Sequence, residues 1–313
     1  MTFRLNSRDY AILTSIAEHR ILTVRHITIT HQRNVRAVRR RLRALREQEL
    51  IRIDTEVFGR SRGRPEGLIC VSEAGADVLR GKGLLTPDAP VEQVTAQGVG
   101  SVPHLLLTND FRIQLGQMER LVPAVSTRFF SPLSPFLPRS TDGMPLVHER
   151  IQADQATGSC LEFTPDGVVA ITHSEAGKTL LFFLEVDMGT ETLVSHRPGG
   201  QDVRQKILNY QLLYRSQACR RYEPLVGAPL RGFRLLILAD SESRGTAICR
   251  LVGHLGAPDF VLVTDRHRME TFGVWAEIWA PGGLSEGPAV SILGSRMPRP
   301  APAPTGAAEA RSH

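Results

Sequence analysis

Residues 180–191 read LLFFLEVDMGTE: an unbroken apolar run that ends in Glu185, Val186 and Asp187. A short apolar run of this kind, downstream of the turn-forming Pro165-Asp166-Gly167, predicts a core strand. Side chains two apart on a strand share a face, so Glu185 and Asp187 point the same way. Two carboxylates side by side repel unless a cation or a basic group lies between them. The pattern is therefore that of a metal seat at the edge of a buried sheet.

Working outward, residues 168–172 and 178–187 pair as a hairpin whose turn spans 173–177. Upstream, a helix is expected over 109–120, followed by strand-like runs at 124–130 and 160–163. Downstream, a helix over 201–220, a strand at 233–239, a helix over 244–255, a strand at 260–264 and a last strand-like run at 273–280 complete the order. Strands and helices in this order imply a mixed sheet flanked by helices.

The first eighty residues read differently. Ser7 is a candidate N-cap for a helix that carries Tyr10, Leu13, Ile16 and Ala17 on one face. Thr23 caps a short second helix. A third helix, over 34–49, sets Val35, Val38, Leu42 and Leu45 in one stripe and Arg36, Arg39, Arg40 and Arg43 in the complementary stripe. Strands at 51–57 and 68–71 then flank a Gly- and Arg-rich loop, 59–67, with Arg60, Arg62 and Arg64. Ser72 and Glu73 open another helix. This is the order of a winged helix-turn-helix. A helix packed on one side and lined by guanidinium groups on the other suits the major groove of double-stranded DNA, where Arg reaches phosphates and guanine edges. Six such arginines on phosphates give a log–log salt slope of roughly −5.

The expected organisation is thus a winged-helix domain at 5–80, a linker at 81–103, an α/β domain at 104–280 and a Pro/Ala-rich disordered tail at 281–313. The proline-rich stretch 132–145 reads as a long irregular loop. A net charge of +6 and a pI near 9.5 suit a polyanionic partner. No apolar run reaches the roughly 18–20 residues of a membrane span, so a cytoplasmic protein without membrane partners is expected. The four cysteines lack metal-ligand spacing and read as reduced core thiols.

Taken together, the N-terminal winged helix, His104-Leu-Leu-Leu-Thr-Asn109-Asp110, Pro165-Asp166-Gly167, the Glu-x-Asp-x-Gly-Thr-Glu string at 185–191 and Lys206-Ile-Leu-Asn-Tyr210 resemble the replication-relaxation family of plasmids and mobile elements. The resemblance covers most of residues 5–265. It implies a restriction-endonuclease-like core related to that of certain conjugative relaxases, acting in plasmid replication or mobilisation with DNA nicking at an origin. In that core, an aspartate in a Pro-Asp turn and the glutamate of Glu-x-Lys hold Mg²⁺ or Mn²⁺, while the lysine activates or orients the attacking water. Asp166 and Glu185 match the two acids. Asp187 stands where the lysine would be, which is a departure. Lys206, one of only three lysines, lies on the following helix and can supply the charge. Asp187 is then a third ligand or a structural partner of Lys206. The departure also keeps open a nuclease-inactive replication or transcription regulator. Expected partners are double-stranded DNA, a relaxosome or replication protein, and a second copy of the chain. Tyr210 and Tyr214 read as core, and Glu191 and Arg244 as residues bordering the site or lying at the surface.

Overall fold

The structure, a computed structural model, describes residues 4–54, 67–139, 142–152, 160–195, 202–256, 259–284 and 286–294. It divides into two compact units, Met1–Ile113 with Phe130–Val147, and Gln114–Phe129 with His148–His313.

In the first unit, α1 (Ser7–His19), α2 (Val24–Thr30) and α3 (Val35–Glu47) precede β1 (Ile51–Asp54) and β2 (Leu68–Val71), an antiparallel pair with Ile51 opposite Val71. The cap of α1 is Asn6, not Ser7. A capping box needs an acceptor three residues on, and Asp9 returns a bond to the Asn6 N–H at 2.7 Å, whereas Tyr10 has no such acceptor. Thr23 and Asn34 cap α2 and α3. Leu13, Ile16, Ile27, Leu42, Leu45 and Ile69 meet in one core. Val35 is exposed instead, so the apolar stripe of α3 begins at Val38. Ser72 caps α4 (Glu73–Gly81). The first turn of α4 runs so close to the Leu50 carbonyl that any Cβ at Gly75 would collide with backbone.

The stretch 81–103, expected as a linker, is folded. It carries α5 (Val91–Val94), and Leu85, Ala89 and Val94 are buried in the same core as α1. Arg20, at φ 64°, directs its buried guanidinium at the carbonyls of Glu92, Thr95 and Gln97. A buried guanidinium demands acceptors, and this segment's backbone supplies them. Helix α6 (Val102–Leu121) begins earlier than expected.

In the second unit, β3 (Val125–Phe130) is followed by a separate antiparallel ladder, β4 (Glu149–Gln152) with β5 (Cys160–Phe163). Next come β6 (Gly167–His173), β7 (Lys178–Asp187), α7 (Val203–Ser216), a 3₁₀ turn (Ala218–Tyr222), α8 (Glu223–Val226), β8 (Arg234–Ala239), α9 (Glu242–His254), β9 (Val261–Asp265), α10 (Arg266–Phe272) and β10 (Ala280–Pro281). They build a six-stranded sheet in the order β10-β9-β8-β7-β6-β3. The β6/β7 hairpin is antiparallel, β7/β8 and β8/β9 are parallel, and β9/β10 is antiparallel. β7, from Leu181 on, and β9 are buried on both faces, as parallel strands covered by helices must be.

Two expectations near the C-terminus change. The strand expected at 273–280 shrinks to Ala280–Pro281, because Gly273 at φ 87° turns the chain and the buried Trp279 Nε1 donates back to the Val274 carbonyl at 2.9 Å. The tail expected from 281 is ordered through 294 among the described residues: Ile292 and Leu293 are buried, and the Ser291 hydroxyl donates to the Trp275 carbonyl at 2.6 Å. Cys160 is exposed, whereas Cys70, Cys219 and Cys249 are core thiols. Among the described residues, no helix is long and apolar enough to cross a membrane.

Candidate functional site

The register of the β6/β7 hairpin sets Gly167 opposite Leu184, which carries the preceding Asp166 alongside Glu185. The Asp166 N–H donates to the Leu184 carbonyl at 3.1 Å, and the Val186 N–H donates to Asp166 Oδ2 at 2.7 Å. The turn aspartate is thus fastened to β7 on both sides of Glu185. From α7, the Tyr210 hydroxyl donates to Glu185 Oε1 at 2.6 Å. Lys206 Nζ lies 3.5 Å from Glu185 Oε2 and 2.8 Å from Glu191 Oε1. Residues 206 and 210 are one helical turn apart, so both reach the same strand position.

Burial first, and then the negative field of Asp166, push the Glu185 carboxyl up to about 7, against the downward pull of Lys206 and of the Tyr210 hydrogen bond. Burial alone would lower Lys206, yet Glu185, Glu191 and Asp166 more than reverse this and hold the ammonium above its ordinary value. The two shifts describe one cluster. Glu185, Glu191 and Asp166 all act on one ammonium, and the most buried of these acids is the one whose charged form is disfavoured. Burial, and then Glu185, keep the Tyr210 phenol well above its usual range, so it remains a donor.

Asp187 belongs to a different arrangement. Arg244 Nε and Nη2 donate to its two oxygens at 2.6 and 2.9 Å, and the Gly189 N–H donates to Oδ1 at 2.8 Å. Arg244 Nη2 also donates to the Glu191 carbonyl at 2.6 Å, tying down the loop that carries the Glu191 carboxylate. The basic group that the Glu-x-Asp ladder requires is therefore supplied twice, by Lys206 for Glu185 and by Arg244 for Asp187. Among the described residues, Asp187 pairs with Arg244 and Lys206 with Glu185 and Glu191.

The structure thus brings Asp166, Glu185 and Lys206 together and gives Asp187 a cation of its own, Arg244. The sequence placed Tyr210 in the core, where it lies, and Arg244 at the site's border or the surface, but named neither the Glu185 bond of the first nor the Asp187 pair of the second. The available signal for Tyr210 was that a buried tyrosine hydroxyl needs a partner and that 210 lies one turn from 206. Arg244 lies on the first turn of α9. Its access to Asp187 follows from the parallel register, which pairs Asp187 with Ala239 and brings the Asp240 N–H to the Asp187 carbonyl at 2.8 Å.

A recess of about 10 Å³ bordered by Glu185, Asp187 and Lys206 has room for roughly one water. Among the described residues, no group of three or more His, Cys, Asp and Glu is placed to hold a metal ion. Mg²⁺ prefers hard oxygen donors, keeps several waters and takes only one or two carboxylates from a protein. Asp166 and Glu185 fit that donor set in kind, and a carboxyl raised to about 7 beside a second acid is one that a cation would return to its charged form.

The first unit offers a second surface. On α3, Arg36, Arg39, Arg40 and Arg43 are exposed, and none engages a carboxylate among the described residues. Arg41 differs: it is half-buried and its guanidinium is joined to the fully buried Asp9 of α1. A groove of about 720 Å³ beside α3 is bordered by Arg8, His31, Arg33 and Arg40. Arg60, Arg62 and Arg64 lie outside the described residues.

Compared with known proteins, the chain matches the model of one family, described as Replication-relaxation, over residues 13–227. No curated protein and no solved structure matches it.

Proposed function

We propose that this chain, which belongs to the replication-relaxation family, is a replication protein that reads double-stranded DNA through α3 and nicks it at the acidic cluster beside β7. Family membership supports the replication-related role. The observation that carries the DNA reading is the row of four exposed arginines opposite the buried stripe of α3, none of which engages a carboxylate among the described residues. The order α1, α2, α3, β1, β2 supports a winged helix-turn-helix. For the second unit, the run β3, β6, β7, α7, β8 with parallel β7 and β8 supports an endonuclease-like core.

In this reading Asp166 and Glu185 hold Mg²⁺ or Mn²⁺, and the chemistry such an ion supplies when bound is polarisation of a phosphoryl oxygen and acidification of a coordinated water. Glu185 must first release its proton, which makes cation affinity rise with pH through about 7. Lys206 offers a positive charge to the phosphate in place of the lysine absent at 187. Tyr210 orients Glu185, and Arg244 with Asp187 anchors the 188–191 segment. A relaxosome or replication protein and a second copy of the chain are the further partners this role calls for.

The test is supercoiled plasmid carrying the chain's flanking DNA, incubated with protein and Mn²⁺. Nicking is expected, with loss on the order of 100-fold or more in Asp166→Asn and Glu185→Gln. Equal nicking by these variants sinks the assignment. A second reading, a nuclease-inactive regulator, is favoured by one observation: both oxygens of Glu185 already have protein partners. Calorimetric Mn²⁺ titration separates the two, because an inert scaffold shows no binding that depends on Glu185.

A further inference from the structure

A groove of about 750 Å³ lies wholly within the second unit, at the start of β7 and β8, away from the acidic cluster at the end of β7. Lys178, the first residue of β7, and Arg231 and Arg234, before and at the start of β8, border it, and all three are exposed. None of the three engages a carboxylate, and no Asp or Glu lines the groove, among the described residues. Beside these cations stands Tyr214 of α7, an exposed aromatic in a groove otherwise lined largely by apolar residues. Its ring lies nearly flat on Phe260, with centroids 4.8 Å apart and planes 12° apart, and Phe233 meets it edge-on at 5.5 Å. Packed in this way against the buried Phe233 and Phe260, the ring is held in one orientation, and the residue remains 36% exposed where it borders the groove.

We infer that this groove binds an unpaired strand of nucleic acid, with a base stacked on Tyr214 and phosphates on Lys178, Arg231 and Arg234. A polyanion explains three cations that no carboxylate engages among the described residues. A base explains why a large aromatic is kept exposed and fixed among them, since base–aromatic stacking is how strand-binding grooves gain affinity without reading sequence. A duplex keeps its base faces stacked inside and has none to offer a tyrosine. An acidic peptide would satisfy the cations and leave the ring unused. The inference goes beyond the duplex and nicking reading, and it stands or falls independently of it.

The experiment is fluorescence anisotropy of the full chain with labelled oligothymidine of about 12 nucleotides, within the usual span of roughly 4–16 for such grooves. The competitor is polyglutamate. Tyr214→Leu is expected to weaken oligothymidine binding by about 5- to 100-fold, whereas Tyr214→Phe, which keeps the ring, retains it. Arg231→Ala with Arg234→Ala should make the salt slope shallower by about 0.7 for each phosphate no longer neutralised and leave duplex binding intact. A variant lacking Arg36, Arg39, Arg40 and Arg43 should lose duplex binding and keep oligothymidine. Thermal melts check that each variant is folded, and should Tyr214→Leu unfold, the arginine pair and Tyr214→Phe decide. The inference is overturned if a folded Tyr214→Leu binds oligothymidine like the wild type, if the arginine pair leaves the salt slope unchanged, if loss of the α3 arginines abolishes oligothymidine binding, or if polyglutamate displaces the strand as well as unlabelled oligothymidine does.

Discussion

Arginine plays opposite parts in the two units. On α3 four guanidinium groups face water without a carboxylate among the described residues, while Arg244 is largely buried with both its Nε and Nη2 given to Asp187. A charge left in water costs the fold almost nothing and is available to a partner. A charge taken out of water must be paired or neutralised. The same contrast runs within α3 itself, where Arg41 is committed to the buried Asp9 and its neighbours are not. Exposure and pairing, and not residue type, separate the arginines that hold this protein together from those free to bind something else.

The comparison is broken most easily at Arg244. Arg244→Ala leaves Asp187 buried without its cation and should destabilise the second unit by about 3–5 kcal/mol, read from urea denaturation; a loss below about 1 kcal/mol would show the pair to be dispensable. A smaller effect is expected at Glu185. Its folded pKa, about 7, lies above the ordinary carboxylate value, so the stability its proton contributes is fully present below about pH 4.5 and is lost as pH rises through about 7. Between pH 5 and 8 the wild type should lose on the order of 2 kcal/mol that Glu185→Gln does not lose, seen by comparing denaturation midpoints across that range. The smallest stability effect belongs to α3. Arg39→Ala should change stability by less than about 0.5 kcal/mol while making the salt slope for duplex binding shallower by roughly 0.9, and a large stability loss there would erase the distinction between the two units.

Much of this was legible in the residues. The apolar run into Glu185, the Pro-Asp-Gly turn, the three-and-four spacing of Val38, Leu42 and Leu45, and the opposing arginines are all local patterns, and the elements form where those patterns lie. Asp166, Glu185 and Lys206 were picked out through the family resemblance, and they lie close together because a hairpin and the helix after it connect them. Less legible were the folded state of 81–103 and of 286–294. Their composition is poor in apolar bulk, and they are ordered by a few anchors, Leu85, Val94, Ile292 and Leu293, together with the carbonyls that receive Arg20. A handful of buried side chains in a Gly- and Pro-rich stretch resembles a loop until the surface they cover is known.

What the sequence by itself determined was periodicity and charge: which faces must be buried, and that the carboxylates at 185 and 187 needed cations. Only the tertiary structure decided which cations. Arg244 stands 57 residues from Asp187, and nothing in either stretch names the other. They meet because β7 and β8 pair in parallel in one register, Asp187 beside Ala239, and a register shifted by one residue would turn Asp187 to the other face of the sheet. Local pattern is set by bonds along the chain, whereas partners are set by how strands align across it.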